Sequence, residues 1–138
     1  MNVKAARGIR NNNPGNIDYN PVNKWQGQLP VDKSIESRFC RFVSPEYGIR
    51  ALMKLLQNYN LSGFNTIEKM INRWAPPVEN KTHSYIYSVA KALNVKPTDC
   101  VNPFDNKTVI ELAKAIIFHE NGQQPYDDEI FEKAFALL

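Results

Sequence analysis

The stretch Val109 to Tyr126 reads VIELAKAIIFHENGQQPY. Val109, Leu112, Ala113, Ile116 and Ile117 recur at the i, i+3, i+4, i+7, i+8 spacing of one helical face. The next position on that face is Glu120, so a carboxylate continues an apolar stripe. Asn121-Gly122 follows, with the chemistry of a helix C-cap, which puts Glu120 in the last turn, where a helix end can open into a cleft. An apolar surrounding and the negative end of a helix dipole both disfavour a charged carboxylate there. Those are the conditions a general acid needs. The helix by itself favours the plainer reading, a glutamate that reaches solvent or pairs with Arg or Lys.

Outward from this stretch, the pattern is mostly helical. Ser44-Pro45-Glu46 offers an N-cap, a proline at the first helical position and an acidic first turn. Ile49, Leu52, Met53, Leu56 and Tyr59 then make one apolar face, and Ser62-Gly63 ends it. Asn65 or Thr66 can cap a short helix with Ile67, Met70, Ile71 and Trp74 on one side, stopped by Pro76-Pro77. A further helix is expected over about Lys81 to Leu93. Residues 94–104, with two prolines, read as a loop, and Asp105 or Asn106 caps the Glu120 helix. Asp127-Asp128-Glu129 opens a last helix with Ile130, Phe131, Ala134, Phe135 and Leu138 inward.

Before residue 44 the texture differs. Residues 8–30 are dense in Asn, Gly and Pro, which supply turns, Asx hydrogen bonds and positive φ. They predict an ordered polar loop with short strands at Ile17 to Tyr19 and Trp25 to Gln28, joined by a strand at Arg38 to Val43. The expected architecture is one α+β domain over residues 1–138, with five helices and a small β element near the N-terminus.

Composition narrows the function. The 138 residues suffice for one core, and 43% hydrophobic with 22% charged residues is ordinary for a globular chain. A net charge of +3, with Lys and Arg scattered, suits an acidic polymer such as a cell-wall glycan but lacks the dense basic stripe of nucleic-acid binders. The N-terminus has no apolar segment of a Sec signal, and no run of about 18 apolar residues occurs, so no membrane insertion is expected. Cys40 and Cys100 are isolated, without the spacing of a zinc site, and are expected to be reduced. No P-loop, dinucleotide fingerprint or metal-ligand spacing is present; no cofactor and no metal is expected. His83 and His119 find no activated Cys partner, which argues against a Cys/His hydrolase.

Several segments carry a resemblance. RGIRNNNPGNI (Arg7 to Ile17), WQG (Trp25 to Gly27), FCRFVSPEYGIRALMKLLQNY (Phe39 to Tyr59), INRWAPPVENKTHSYI (Ile71 to Ile86) and AIIFHENG (Ala115 to Gly122) resemble a family of short phage and prophage proteins with a lysozyme-like domain. A looser similarity links the order Asn-rich segment, Trp-x-Gly, aromatic strand and Tyr-ending helix to glucosaminidases and soluble lytic transglycosylases. In those proteins the Glu-bearing helix comes first; here AIIFHENG comes last. The resemblance therefore implies a circularly permuted lysozyme-like fold, which is tolerable because domain termini commonly lie close together.

The implied activity is peptidoglycan hydrolysis of the glycan strand, of lytic transglycosylase or muramidase type, with Glu120 as general acid. Glycoside cleavage usually employs a second carboxylate. Asp18, Asp32 and Glu36 lie in the polar lobe, and Glu36 is the chosen partner; a transglycosylase could work with one Glu and the sugar's own 6-hydroxyl. Glu79, in Pro-Pro-x-Glu-Asn-x-Thr, is a rival acid or a helix N-terminal charge. Tyr85 is expected to contact sugar or orient the acid, or else to pack in the core. Asn13 and Asn16 could present amides to N-acetyl groups or hold their loop, while Tyr19 and Trp25 could stack on sugar faces or plug the lobe. The expected partners are glycan strands and other virion proteins, with the chain a monomer. It would be made in a host cytoplasm without a signal peptide and reach the wall by release or virion delivery. The competing class is a lysozyme-like virion or glycan-binding protein without catalysis. If Glu120 works against this lobe, it must lie within reach of Asn13, Asn16 and Trp25.

Overall fold

A computed structural model describes residues 5–75 and 81–138. Six helices occur among them: α1 (Arg7–Arg10), α2 (Pro45–Leu61), α3 (Ile67–Trp74), α4 (Thr82–Leu93), α5 (Asn106–Asn121) and α6 (Asp128–Ala136). The fold is predominantly helical. Local chemistry accounts for several of the helix ends. Thr66, Asp105 and Asp127 each accept a backbone N–H three residues on, satisfying donors that a helix start leaves open. Asn94 and Gly122 take the left-handed conformation just past α4 and α5. Ser44 precedes α2 in an extended conformation, yet its side chain makes no capping bond, so Pro45 and the acidic Glu46 carry that start.

The polar N-terminal region departs from expectation in two ways. The three short strands are replaced by isolated antiparallel bridges, Asp18 to Phe39 and Gln28 to Phe42, and a further one joins Thr66 to Cys100. Beside the first bridge, a side chain stands in for one backbone bond of the ladder. The Asn13 amide donates to the carbonyls of Ile17 and Cys40 at 3.0 and 2.9 Å and accepts from the Ile17 N–H at 3.0 Å. The second difference is α1, whose four residues are too few to print a periodic stripe. Asn12 and Asn16, both at φ 51°, supply the positive φ that the Asn-rich composition suggested.

Two apolar clusters hold the molecule. The larger contains Ile49, Leu52 and Leu56 of α2, Met70 of α3, Val89 of α4 and Ile116 of α5, with Phe131 of α6 closing it. Helix α5 is the hub, packing on α1, α2, α4 and α6. The smaller cluster, Ile17, Cys40, Phe42 and Ala51, seats the polar lobe on the other side of α2, and Trp74 packs against both. Contact between lobe and helix is close at Gly48, where a Cβ would overlap the Asn12 carbonyl oxygen. No helix among the described residues is long and apolar enough to cross a membrane. Cys40 is buried and Cys100 exposed, both as free thiols.

Candidate functional site

Glu120 sits one residue before the end of α5, and its half-buried carboxylate is held from two directions. Asn16 Nδ2 donates to Oε1 at 3.0 Å, and the Tyr85 hydroxyl donates to Oε2 at 2.9 Å. One donor comes from the polar loop and the other from α4, so the carboxyl plane is fixed by elements distant in sequence. Tyr85 is fully buried. Burial, and after it the neighbouring Glu120, keeps its phenol well above the ordinary value for tyrosine, so it remains a neutral hydroxyl. Its ring stacks on His119, with centroids 3.7 Å apart and planes 26° from parallel. The ring of Tyr85 thus packs in the core while its hydroxyl holds the Glu120 carboxylate.

The loop itself is pinned to the helix end. Asn121 donates its amide to the Pro14 carbonyl at 2.7 Å and to the Ile117 carbonyl of its own helix at 2.9 Å. Gly8 allows this approach, since a Cβ there would lie 2.6 Å from Asn121 Oδ1 and 2.8 Å from Asn16 Oδ1. Sequence reasoning read Asn121 only as part of a cap; the signal missed was an amide beside the candidate acid.

Glu120 opens into a cleft of about 500 Å³. One wall is the polar loop, with Asn16, Asp18, Asn20 and Trp25; the other carries Tyr59 of α2 and Arg73 and Trp74 from the end of α3. Trp74 stands edge-on to Tyr59 at 6.5 Å and closes against Gly15, where a Cβ would come within 3.2 Å of the indole. The indole N–H of Trp25 and Oδ1 of Asn16 are buried without a protein partner among the described residues. The trough thus combines amide and charged side chains with the aromatic rings of Trp25, Tyr59 and Trp74.

The remaining candidates separate. Asn13 is fully buried, with its amide bonded to backbone groups, and it holds the loop rather than facing the cleft. Tyr19 is half-buried against the small cluster and is not among the residues lining the cleft. Glu36 is likewise outside the lining. Arg7 clamps both its oxygens at 2.7 and 2.6 Å, Asn11 adds a bond at 3.0 Å, and the N–H groups of Arg38 and Phe39 donate at 2.8 Å each. The Arg7 guanidinium holds its carboxyl well below the usual range against the opposing effect of burial. Such a carboxylate is a structural anchor for the loop. Asp32 bonds Ser34 in its own turn. Of the three lobe carboxylates only Asp18 lines the cleft, and Arg38 grips it at 2.6 Å. Glu79 lies outside the described residues. Burial, then the Asp18 charge, pushes the Cys40 thiol up to about 11, far from a reactive thiolate.

The fold and the site define a helical domain that carries one carboxylate at the end of its central helix, under a polar loop and beside an aromatic wall. Over 135 residues, covering 96% of the chain and 81% of that protein, the sequence is 36% identical to Protein P5 of Pseudoalteromonas phage PM2. The chain belongs to the family of that protein and is phage-related. No family model matches it.

Proposed function

We propose that the protein is a phage peptidoglycan hydrolase that cleaves the glycan strand between N-acetylmuramic acid and N-acetylglucosamine, with Glu120 as general acid. The observation that carries this reading is the placement of Glu120. A carboxyl fixed by Asn16 and Tyr85 at the floor of an open, amide- and aromatic-lined cleft is suited to meet a glycosidic oxygen. The reading takes the fold as lysozyme-like with the Glu-bearing helix moved to the end of the chain. The docking of that helix beneath the Asn-rich loop supports it.

The chemistry favoured is that of a lytic transglycosylase. Glu36 is held by Arg7 and Asp18 by Arg38, so neither offers a free second carboxylate to activate water. A single glutamate suffices when the sugar attacks itself. Glu120 gives its proton to the leaving oxygen as the C1–O bond breaks, then takes the proton of the muramoyl 6-hydroxyl as O6 bonds C1. The product is an anhydro-sugar end, and Glu120 returns protonated. The Tyr85 hydroxyl can donate or accept, so its bond to Oε2 persists through both states.

The same shortage of a second free carboxylate among the described residues of the cleft favours an alternative, a virion or glycan-binding protein that docks without cleaving. Incubation with purified peptidoglycan and mass spectrometry of the soluble fraction tests the two. Fragments with anhydro ends support the transglycosylase reading, fragments with reducing ends support a muramidase, and an absence of fragments overturns the enzyme. Action on the wall would follow release from the host or delivery with the virion, where other virion proteins are the partners.

A further inference from the structure

Among the described residues the cleft contains four charged side chains, and three already have a polar partner. Asp18 and Arg38 neutralise each other at 2.6 Å, and Glu120 accepts from Asn16 and Tyr85. The fourth, Arg73, is exposed in the last turn of α3, where the helix dipole favours a cation. Its guanidinium lies over the ring of Tyr59, 6.0 Å from the centroid, and no carboxylate among the described residues pairs with it. A ring holds an arginine in place without consuming its N–H donors. The planar fork therefore stays available to an acidic group entering the cleft, for which bidentate bonding to a carboxylate is the matched geometry.

From this arrangement we infer that Arg73 is the specificity determinant of the cleft, a receptor for a carboxylate carried by the bound glycan. The inference rests on the glycan-cleaving reading above and deepens it. The substrate is a strand bearing acidic substituents, as on the peptide stems of the cell wall, and a neutral N-acetylglucosamine polymer binds less well. Arg73 acts on binding and not on proton transfer, because Glu120 already has its own positioning groups.

The test separates this inference from the reaction. Co-sedimentation of the full chain in a Glu120→Gln background is measured on sacculi free of teichoic acid, and on the same sacculi with their carboxyl groups amidated. With Arg73 intact, native sacculi should bind about tenfold more tightly than amidated ones, the gain expected of one charge-assisted pair. Arg73→Gln should bring the ratio close to one, and Arg73→Lys should leave it between. A preference that persists undiminished in Arg73→Gln overturns the inference, as does a chain with Arg73 intact that binds both forms alike. Fragment release without any preference leaves the reaction standing and removes the receptor. An Arg73-dependent preference without fragment release does the reverse.

Discussion

The side-chain amide of Asn16 donates to Glu120 Oε1 at 3.0 Å across 104 residues of sequence. That bond joins the polar loop to the end of the central helix and orients the Glu120 carboxylate at the cleft. Tyr85 completes the clamp from a third element, so the position of Glu120 is a property of the assembled fold.

Replacing Glu120 with Gln keeps the shape and removes the proton. Fragment release from peptidoglycan should fall by about 10²-fold to 10⁴-fold, the usual contribution of a general acid, with the circular dichroism spectrum unchanged. Wall-clearing activity equal to that of the parent would remove Glu120 from the mechanism.

Tyr85 divides into a ring and a hydroxyl. Tyr85→Phe retains the buried ring and its stacking on His119 but releases Oε2 of Glu120. Fragment release should drop about tenfold with stability changed by about 1 kcal/mol or less. Tyr85→Ala should cost about 3–5 kcal/mol, read by denaturant unfolding, because the cavity it leaves lies in the main core.

Asn13 and Asn16 should behave oppositely although three residues apart. Asn13→Ala strands the buried backbone groups of Ile17 and Cys40 and should destabilise by about 2–4 kcal/mol. Asn16→Ala loses one bond to the half-buried Glu120 and should reduce turnover with a smaller change in unfolding free energy. A comparable stability loss in both would contradict the division of roles.

The pairing of Glu36 makes stability depend on acid. Its pKa is lower in the folded chain than the ordinary carboxylate value of 4.5, chiefly through Arg7. Its contribution is therefore present above about pH 4.5 and is lost as the pH falls from there toward the folded value. Glu36→Gln should lower the melting temperature at pH 7 and flatten the decline seen in the parent below pH 4.5. Thermal melts from pH 7 to pH 2.5 check both effects, and parallel curves would refute the linkage.

How much of this was legible depends on the range of the interactions involved. The helix from Asn106 to Asn121 could be read from its own stripe and caps, because both are set within four residues along the chain. Glu120 could be singled out for the same reason, as the one polar interruption of that stripe. The loop was legible as an Asn-rich turn region, and the positive φ of Asn12 and Asn16 follows from that composition. Its strands were overestimated, and alternation cannot reveal that the Asn13 side chain stands in for one backbone bond of the ladder. Helix α1 was missed because one turn has no period.

The sequence by itself determined the five longer helices and the capping of three of their starts, at Thr66, Asp105 and Asp127, and it set Glu120 at a helix end, all of which depend on neighbours in the chain. Only the tertiary structure decided which residues meet Glu120. Asn13 and Asn16 are equivalent as letters, yet one faces its own backbone and the other the carboxylate. Glu36 and Asp18 are both lobe acids, yet Arg7 buries one in a salt bridge while the other lines the cleft beside Arg38. Those outcomes turn on the close approach of the loop to α2 at Gly48 and to α5 at Gly8, contacts between segments far apart in sequence. No local pattern encodes them, because the energy that selects them comes from packing the lobe onto the finished helical core.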